Sequence, residues 1–221
     1  LRFKIIDSIR NFFKESGFLE VETPVLQLLP GGATARPFKT HMNDLDIDLY
    51  LRVAPELYLK RLLVGGIERL FEIAKVFRNE GMDAQHNPEF TMLGIYAAYW
   101  NENDMMGCIE KLIRGFDFDK KLGLDKEFSK LSLKDVLSNY ASISDYTEEN
   151  ERVLRNKAKE LDLDVKHKIT KDELVDEIFE KVCCPLMKEP TFVVDFPSAI
   201  SPLLKKKDKE LVRRFNLIIG G

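Results

Sequence analysis

The sequence is poor in cysteine and in histidine, with three of each among 221 residues. It also has no apolar run near the ~20 residues that a membrane-spanning helix needs. Cys108 stands alone and Cys183 and Cys184 are adjacent, so neither paired CxxC spacing nor the density of a secreted disulfide scaffold is present. A reducing, cytoplasmic setting is expected. His41 and His167 have no partners at metal-ligand spacing, which leaves solvated or core histidines as the expectation. No basic, apolar, small-residue series marks a signal peptide. Nor is there an excess of one charge: 34 Lys+Arg face 37 Asp+Glu, a formal charge of −3. That excludes the bulk basic field of nonspecific nucleic-acid binders, so neither DNA nor a membrane is an expected partner and any RNA contact must be local. Internal repeats and low-complexity tracts are absent too.

What is present suits a folded core: 44% hydrophobic and 32% charged residues, enough for one elaborate domain. The chain begins at Leu1 without methionine and stops at Gly220-Gly221 directly after Leu217-Ile218-Ile219, and both ends read as cuts through a larger protein. Phe3, Ile5, Ile6, Ile9, Phe12 and Phe13 recur at helical spacing before Gly17, which predicts an amphipathic helix. Phe18 to Val21 alternates and is closed by Pro24, a short strand, and a glycine loop follows at Pro30-Gly31-Gly32. Asp44, Asp46 and Asp48 alternate with apolar residues as a half-exposed strand would. A helix is predicted from Glu56, with Leu57, Leu59, Leu62 and Leu63 buried, ending at Gly65-Gly66. Arg69 to Phe77 and Glu89 to Tyr99 are β-prone runs joined by the polar stretch Arg78 to Pro88, a long antiparallel hairpin with a large loop. Helical spacing returns over Asn103–Phe116, Glu148–Leu161 and Lys171–Val182, the last capped by Thr170, and these are expected as surface or insertion helices. Thr191–Phe196, ended by Pro197, and Arg214–Ile219 are further strands. Strands and helices without βαβ regularity predict an α+β domain on an antiparallel sheet.

The richest segment chemically is Phe77-Arg78-Asn79-Glu80-Gly81 with His86-Asn87-Pro88-Glu89-Phe90. Arg78 and Glu80, two apart on a strand, would share a face, one gripping an anion and the other accepting hydrogen bonds. His86 and Asn87 add donors, and Phe90 offers a ring on which a base can stack. A solvated hairpin loop with a surface ion pair would give the same local pattern. The run Lys205-Lys206-Lys207 reads as a solvated turn.

FRNEG followed by HNPEFTML closely resembles the second signature motif of class II aminoacyl-tRNA synthetases in its lysyl form. GGATARPF and LRVAPELYLKRLLVGGIERLFEI resemble that family's substrate loop with its connecting helix and strand, and FLEVETP resembles the first, dimer-forming motif. PTFVVDFPSAISPL and RFNLIIGG also look lysyl-type, so the likeness runs end to end, weakest over 117–188. It implies a partial class II catalytic domain across 1–221: the first two motifs in 1–116, a helical connecting or insertion region in 117–190, and a return to the sheet in 191–221. It further implies lysine, ATP and tRNA(Lys) as partners, Mg2+ held by carboxylates beyond the C-terminal end and none within this chain, and a homodimer with Pro24 at its interface.

By the same resemblance Arg78 would bridge the substrate carboxylate and the α-phosphate. Asn79, Glu80, His86 and Asn87 would hold the nucleotide, and Phe90 would stack on adenine. Glu56 would take the α-ammonium, Gly32 would let backbone approach it, and Tyr96 would line the side-chain pocket. The pattern departs at Gly94, where the family continues with a glutamate that pairs with the lysine ε-ammonium. Either selectivity for lysine is weakened here or another acid compensates. Two alternatives stay open: a paralogue that lysylates a translation factor, and a non-catalytic dimerisation or binding module.

Overall fold

A computed structural model describes residues 1–83, 86–116, 124–163, 169–201 and 204–221, and the chain divides into two compact units, residues 1–100 and 101–221. The first unit opens with α1 (Arg2–Glu15), whose apolar stripe buries Phe13 completely while Phe3 stays 80% exposed. Past Ser16, Gly17 takes φ +79°, a value that suits glycine and turns the chain out of the helix. There follow β1 (Leu19–Glu20), β2 (Leu26–Gln27), β3 (Lys39–Met42), β4 (Ile47–Leu51), α2 (Glu56–Val64), β5 (Arg69–Phe77) and β6 (Glu89–Ala97). β4 lies between β2 and β3, antiparallel to both. β5 pairs antiparallel with β6 from Arg69↔Ala97 to Phe77↔Glu89 and takes β1, parallel, on its other edge. Phe13 stacks its edge on Phe18 at 5.1 Å and tilts against Phe71 at 5.2 Å, tying α1 to the sheet.

Local geometry corrects several expectations in this unit. Only Asp48 of the three alternating aspartates lies in a strand. Asn43–Leu45 form a 3-10 turn and Asp46 sits left-handed at φ +49°, a conformation aspartate tolerates. β6 stops at Ala97 rather than Tyr99, because Tyr99 has φ +66° in an exposed turn, outside any β ladder. Leu57, expected on the buried side of α2, is 44% exposed, whereas Leu59 is fully buried.

The second unit contains α3 (Glu102–Arg114), β7 (Ser129–Ser132), α4 (Leu133–Ala141), α5 (Glu151–Glu160), α6 (Lys171–Ile178), a π-helical segment Phe179–Cys183, α7 (Cys184–Leu186), β8 (Thr191–Pro197) and β9 (Leu211–Ile218). Asn101 and Asp104 form a reciprocal capping box on α3, as Thr170 and Glu173 do on α6. β8 is the central strand, parallel to β7 and antiparallel to β9, with an irregularity at Asp195. The sheets of the described residues are therefore mixed or antiparallel, and the class is α+β. Helices α5 and α6 were expected as surface or insertion helices, and their apolar sides, Leu154, Ala158, Leu174, Val175 and Ile178, are fully buried in one cluster with Val193 and Phe196. Periodicity marks an apolar side but not what covers it.

Candidate functional site

The hairpin β5–β6 organises the site. Side chains alternate along β6, so Phe90, Gly94 and Tyr96 share one face. At the hairpin's loop end Arg78, Glu80, Gly81, His86, Asn87 and Phe90 line one cavity of about 310 Å³. Arg78 and Glu80 meet there by a route other than the one expected. β5 ends at Phe77, so both residues stand in the loop, and the Glu80 amide donates to the Arg78 carbonyl at 3.0 Å. The Arg78 guanidinium lies over the Phe90 ring, 5.1 Å from its centroid. Such a contact at a half-exposed site is worth about 0.5–1 kcal/mol, weak enough for a bound ligand to rearrange.

The glycine loop is bonded to this hairpin. The Asn79 amide donates to the Arg36 carbonyl at 2.8 Å, and the Arg36 amide donates to the Glu80 carboxylate at 3.3 Å. Asn79 is thus a backbone tie and does not line the cavity. His86 is exposed, with Nδ1 2.8 Å from both carboxylate oxygens of Asp83. The carboxylate can only accept, so Nδ1 is the donor of this contact, and the contact fixes the ring's orientation at the cavity.

A second group gathers where α2 begins. Gly32 takes φ +88°, and a Cβ there would lie 3.0 Å from the Cβ of Glu56, so only glycine allows the loop this approach. Glu56 pairs with Lys60 at 2.5 Å, one helical turn on. That exposed pair contributes under about 1 kcal/mol, and a substrate ammonium can displace it. Tyr96 is half-buried, and its hydroxyl is pushed well above the usual tyrosine range, first by burial and then by the Glu56 charge. It stays a neutral donor. Gly94 leaves no open hole: a Cβ there would fall 2.7 Å from Leu59 Cδ1 and 3.5 Å from Pro55 Cγ.

Sequence reasoning missed a buried ion pair beneath these residues. The Arg52 guanidinium donates to Glu72 at 2.7 Å, to the Thr23 carbonyl at 2.9 Å and to the Lys75 carbonyl at 2.7 Å. The Thr23 hydroxyl donates to the other Glu72 oxygen at 2.6 Å. Both charged side chains are at most 5% exposed, and Arg52 Nε and Nη1 and both Glu72 carboxylate oxygens are hydrogen-bonded, which offsets the cost of burying them. Glu72 stands in register opposite Gly94. The available signal was a lone charge inside an apolar run, Arg52 in LRVA and Glu72 in LFEIA.

Pro24 is exposed beside Leu26, Leu28 and Leu29, which are 49%, 64% and 80% exposed. His41 is a surface residue 3.2 Å from Asp48, and His167 lies outside the described residues. Lys205 to Lys207 are exposed, with Lys207 paired to Asp195 at 2.6 Å. Among the described residues no three histidine, cysteine, aspartate or glutamate side chains converge as a metal site, and no helix is long and apolar enough to cross a membrane.

With an anion-ready cavity at the end of an antiparallel hairpin and a carboxylate at the adjoining helix start, the comparisons agree on a class. The family of class II tRNA synthetases (D, K and N) matches residues 1–221, and the chain belongs to it. The family implies ATP as a substrate and a general dependence on Mg2+. Within it, the chain is 44% identical to the lysine–tRNA ligase of Buchnera aphidicola subsp. Baizongia pistaciae, all of this chain aligning with 47% of that protein. It is 44% identical to that of Christiangramia forsetii and 42% to that of Aliivibrio fischeri, in each case over the whole chain and over 41% and 48% of the relative. The chain spans about half the length of the curated relatives it matches.

Proposed function

We propose that the protein carrying this chain activates lysine with ATP and transfers it to tRNA(Lys). The observation that carries the reading is the single cavity shared by Arg78, Glu80, His86, Asn87 and Phe90, on the sheet face that also bears Tyr96. In this reading the lysine carboxylate attacks the α-phosphorus in line and pyrophosphate leaves. A terminal ribose hydroxyl of tRNA then attacks the adenylate carbonyl, and AMP leaves. No enzyme nucleophile is required, so the protein contributes position and charge stabilisation. Arg78 bridges the carboxylate and the α-phosphate. Asn79 holds the loop by its backbone, Glu80, His86 and Asn87 hold the nucleotide, and Phe90 stacks on the base. Glu56, beside Gly32, takes the α-ammonium, and the neutral Tyr96 hydroxyl faces the side chain. Mg2+, on which the family generally depends, is the cofactor this reading includes.

One observation favours a second reading, a neutral amino acid as substrate. Only Leu59 and Pro55 stand within 4 Å of a Cβ at Gly94, and the carboxylate in register with it, Glu72, is already bonded to Arg52. A buried ammonium left without a partner costs ~3–5 kcal/mol. Amino-acid-dependent ATP–pyrophosphate exchange by the full-length protein, run with lysine and a panel of neutral amino acids and followed by charging of tRNA(Lys), decides between them. Exchange and charging with lysine are expected. Strong exchange with a neutral amino acid and none with lysine would overturn the lysine assignment.

A further inference from the structure

β1 pairs with β5 only at Leu70 and Phe71, and beyond that point the backbone groups on this edge of β5 need another partner. Arg52, the first residue after β4, supplies it. Its Nε donates to the Lys75 carbonyl at 2.7 Å, and its own carbonyl accepts the Phe77 amide at 2.9 Å. The guanidinium is held in turn by Glu72, the Thr23 carbonyl and the Thr23 hydroxyl, at 2.7, 2.9 and 3.0 Å. The Arg52 amide donates to the Val25 carbonyl at 2.9 Å. Side chain and backbone of one residue thus tie the end of β5 to the stretch 23–25.

Arg78 is seated on this tie. It directly follows Phe77, and its Nε donates to the carbonyl of Val53, the residue after Arg52, in a long bond of 3.4 Å. Arg52 and Val53 are both buried, so neither can drift into solvent. Among the described residues the Arg78 guanidinium makes no other hydrogen bond, which leaves its two terminal nitrogens for a ligand. A buried ion pair adds little stability, because desolvation consumes most of the attraction. A planar fork bonded on several sides does fix geometry.

We propose that Arg52, held by Glu72 and Thr23, is a positioning residue for Arg78: it fixes the strand end and the Val53 carbonyl from which the Arg78 fork is aimed into the cavity. The action of Arg78 at the α-phosphate rests on the proposed function, whereas the seat does not.

The test is a kinetic cycle in the full-length protein, with Arg52→Lys, Arg78→Lys and the double variant read by lysine-dependent ATP–pyrophosphate exchange. Arg52→Lys keeps a charge beside Glu72 but cannot reach the Lys75 and Thr23 carbonyls together. Misplacing a reacting group by about 1 Å can cost up to ~100-fold, so Arg52→Lys is expected to lower kcat at least ~10-fold. In the Arg78→Lys background the same change is expected to cost less than about threefold, because the fork it would misplace is already gone. A loss through general instability would be equal in both backgrounds. Equal losses, or a kcat for Arg52→Lys within about threefold of wild type, would overturn the proposal. If Arg52→Lys does not fold, Thr23→Val takes its place, since it removes only the hydroxyl that Arg52 and Glu72 share. It is expected to lower kcat at least ~5-fold with the same dependence on Arg78, and equal losses or none would again refute the role. Should wild type show no lysine-dependent exchange, the functional reading fails by itself. Amide hydrogen exchange then still tests the seat: the Phe77 amide is expected to exchange at least ~10-fold faster in whichever variant folds, and an unchanged rate would refute it.

Discussion

In the proposed reading Arg78 carries the heaviest chemical demand of any residue in the site, and its surroundings bear on how one loop arginine could meet it. Its amide donates to the Pro88 carbonyl at 2.8 Å, closing the hairpin beyond the last pair of the ladder, and its guanidinium rests over Phe90. The fork is thereby aimed without being locked. Arg78→Lys keeps the charge but loses the planar pair of donors and most of the ring contact. ATP–pyrophosphate exchange in the full-length protein should fall by at least ~100-fold, the loss typical of removing one transition-state donor. Wild-type exchange in the variant would remove Arg78 from the role. The buried Arg52–Glu72 pair differs in kind, since it binds Thr23 and Lys75 of neighbouring segments and holds the frame under the site.

At the scale of elements, the helix capped by Thr170 changes its winding further along. α6 gives way to the π-helical turn Phe179–Cys183, which brings Asp176, Glu180 and Cys184 to one side near Arg214. Asp176 Oδ1 is buried with no hydrogen-bond partner among the described residues. Burial pushes its carboxyl above the ordinary range, partly offset by the Arg214 charge. A carboxyl whose folded pKa is raised favours the fold below its unfolded pKa, and that contribution disappears as pH rises through the folded value. Asp176→Asn should therefore gain stability relative to wild type as pH rises from about 4 to about 8, with no gain at the acid end. Melting curves across that range check it. A difference that stays constant with pH would show that Asp176 does not titrate with folding.

For the whole molecule the open question is assembly. Around Pro24 the chain exposes Leu19, Leu26, Leu28 and Leu29, large apolar side chains that an isolated subunit would have to keep in water. A symmetric homodimer covering this stretch accounts for them, because a two-fold interface buries the same patch twice. The full-length protein should sediment as a dimer at micromolar concentration, and Leu28→Asp with Leu29→Asp should shift it toward monomer. A monomeric wild type would count against the interface.

By itself, the sequence determined what depends on near neighbours. The α1 stripe ending before Gly17, the Thr170 cap, the β5–β6 pairing and the phosphate-ready composition of FRNEG and HNPEF are all written in spacing and residue type. Tertiary structure decided what depends on distant segments. Arg78 and Glu80 come together through a loop and not through strand alternation. Glu72 finds Arg52 and Thr23, and the apolar sides of α5 and α6 bury Leu154 and Leu174 in one cluster with residues of β8. Gly94 is the clearest case: alone it reads as a missing side chain, but in the fold its place is filled by a helix thirty-five residues earlier. Periodicity records which face is apolar and motifs record which groups are available, but the partner that occupies a given space is chosen only when the chain closes on itself.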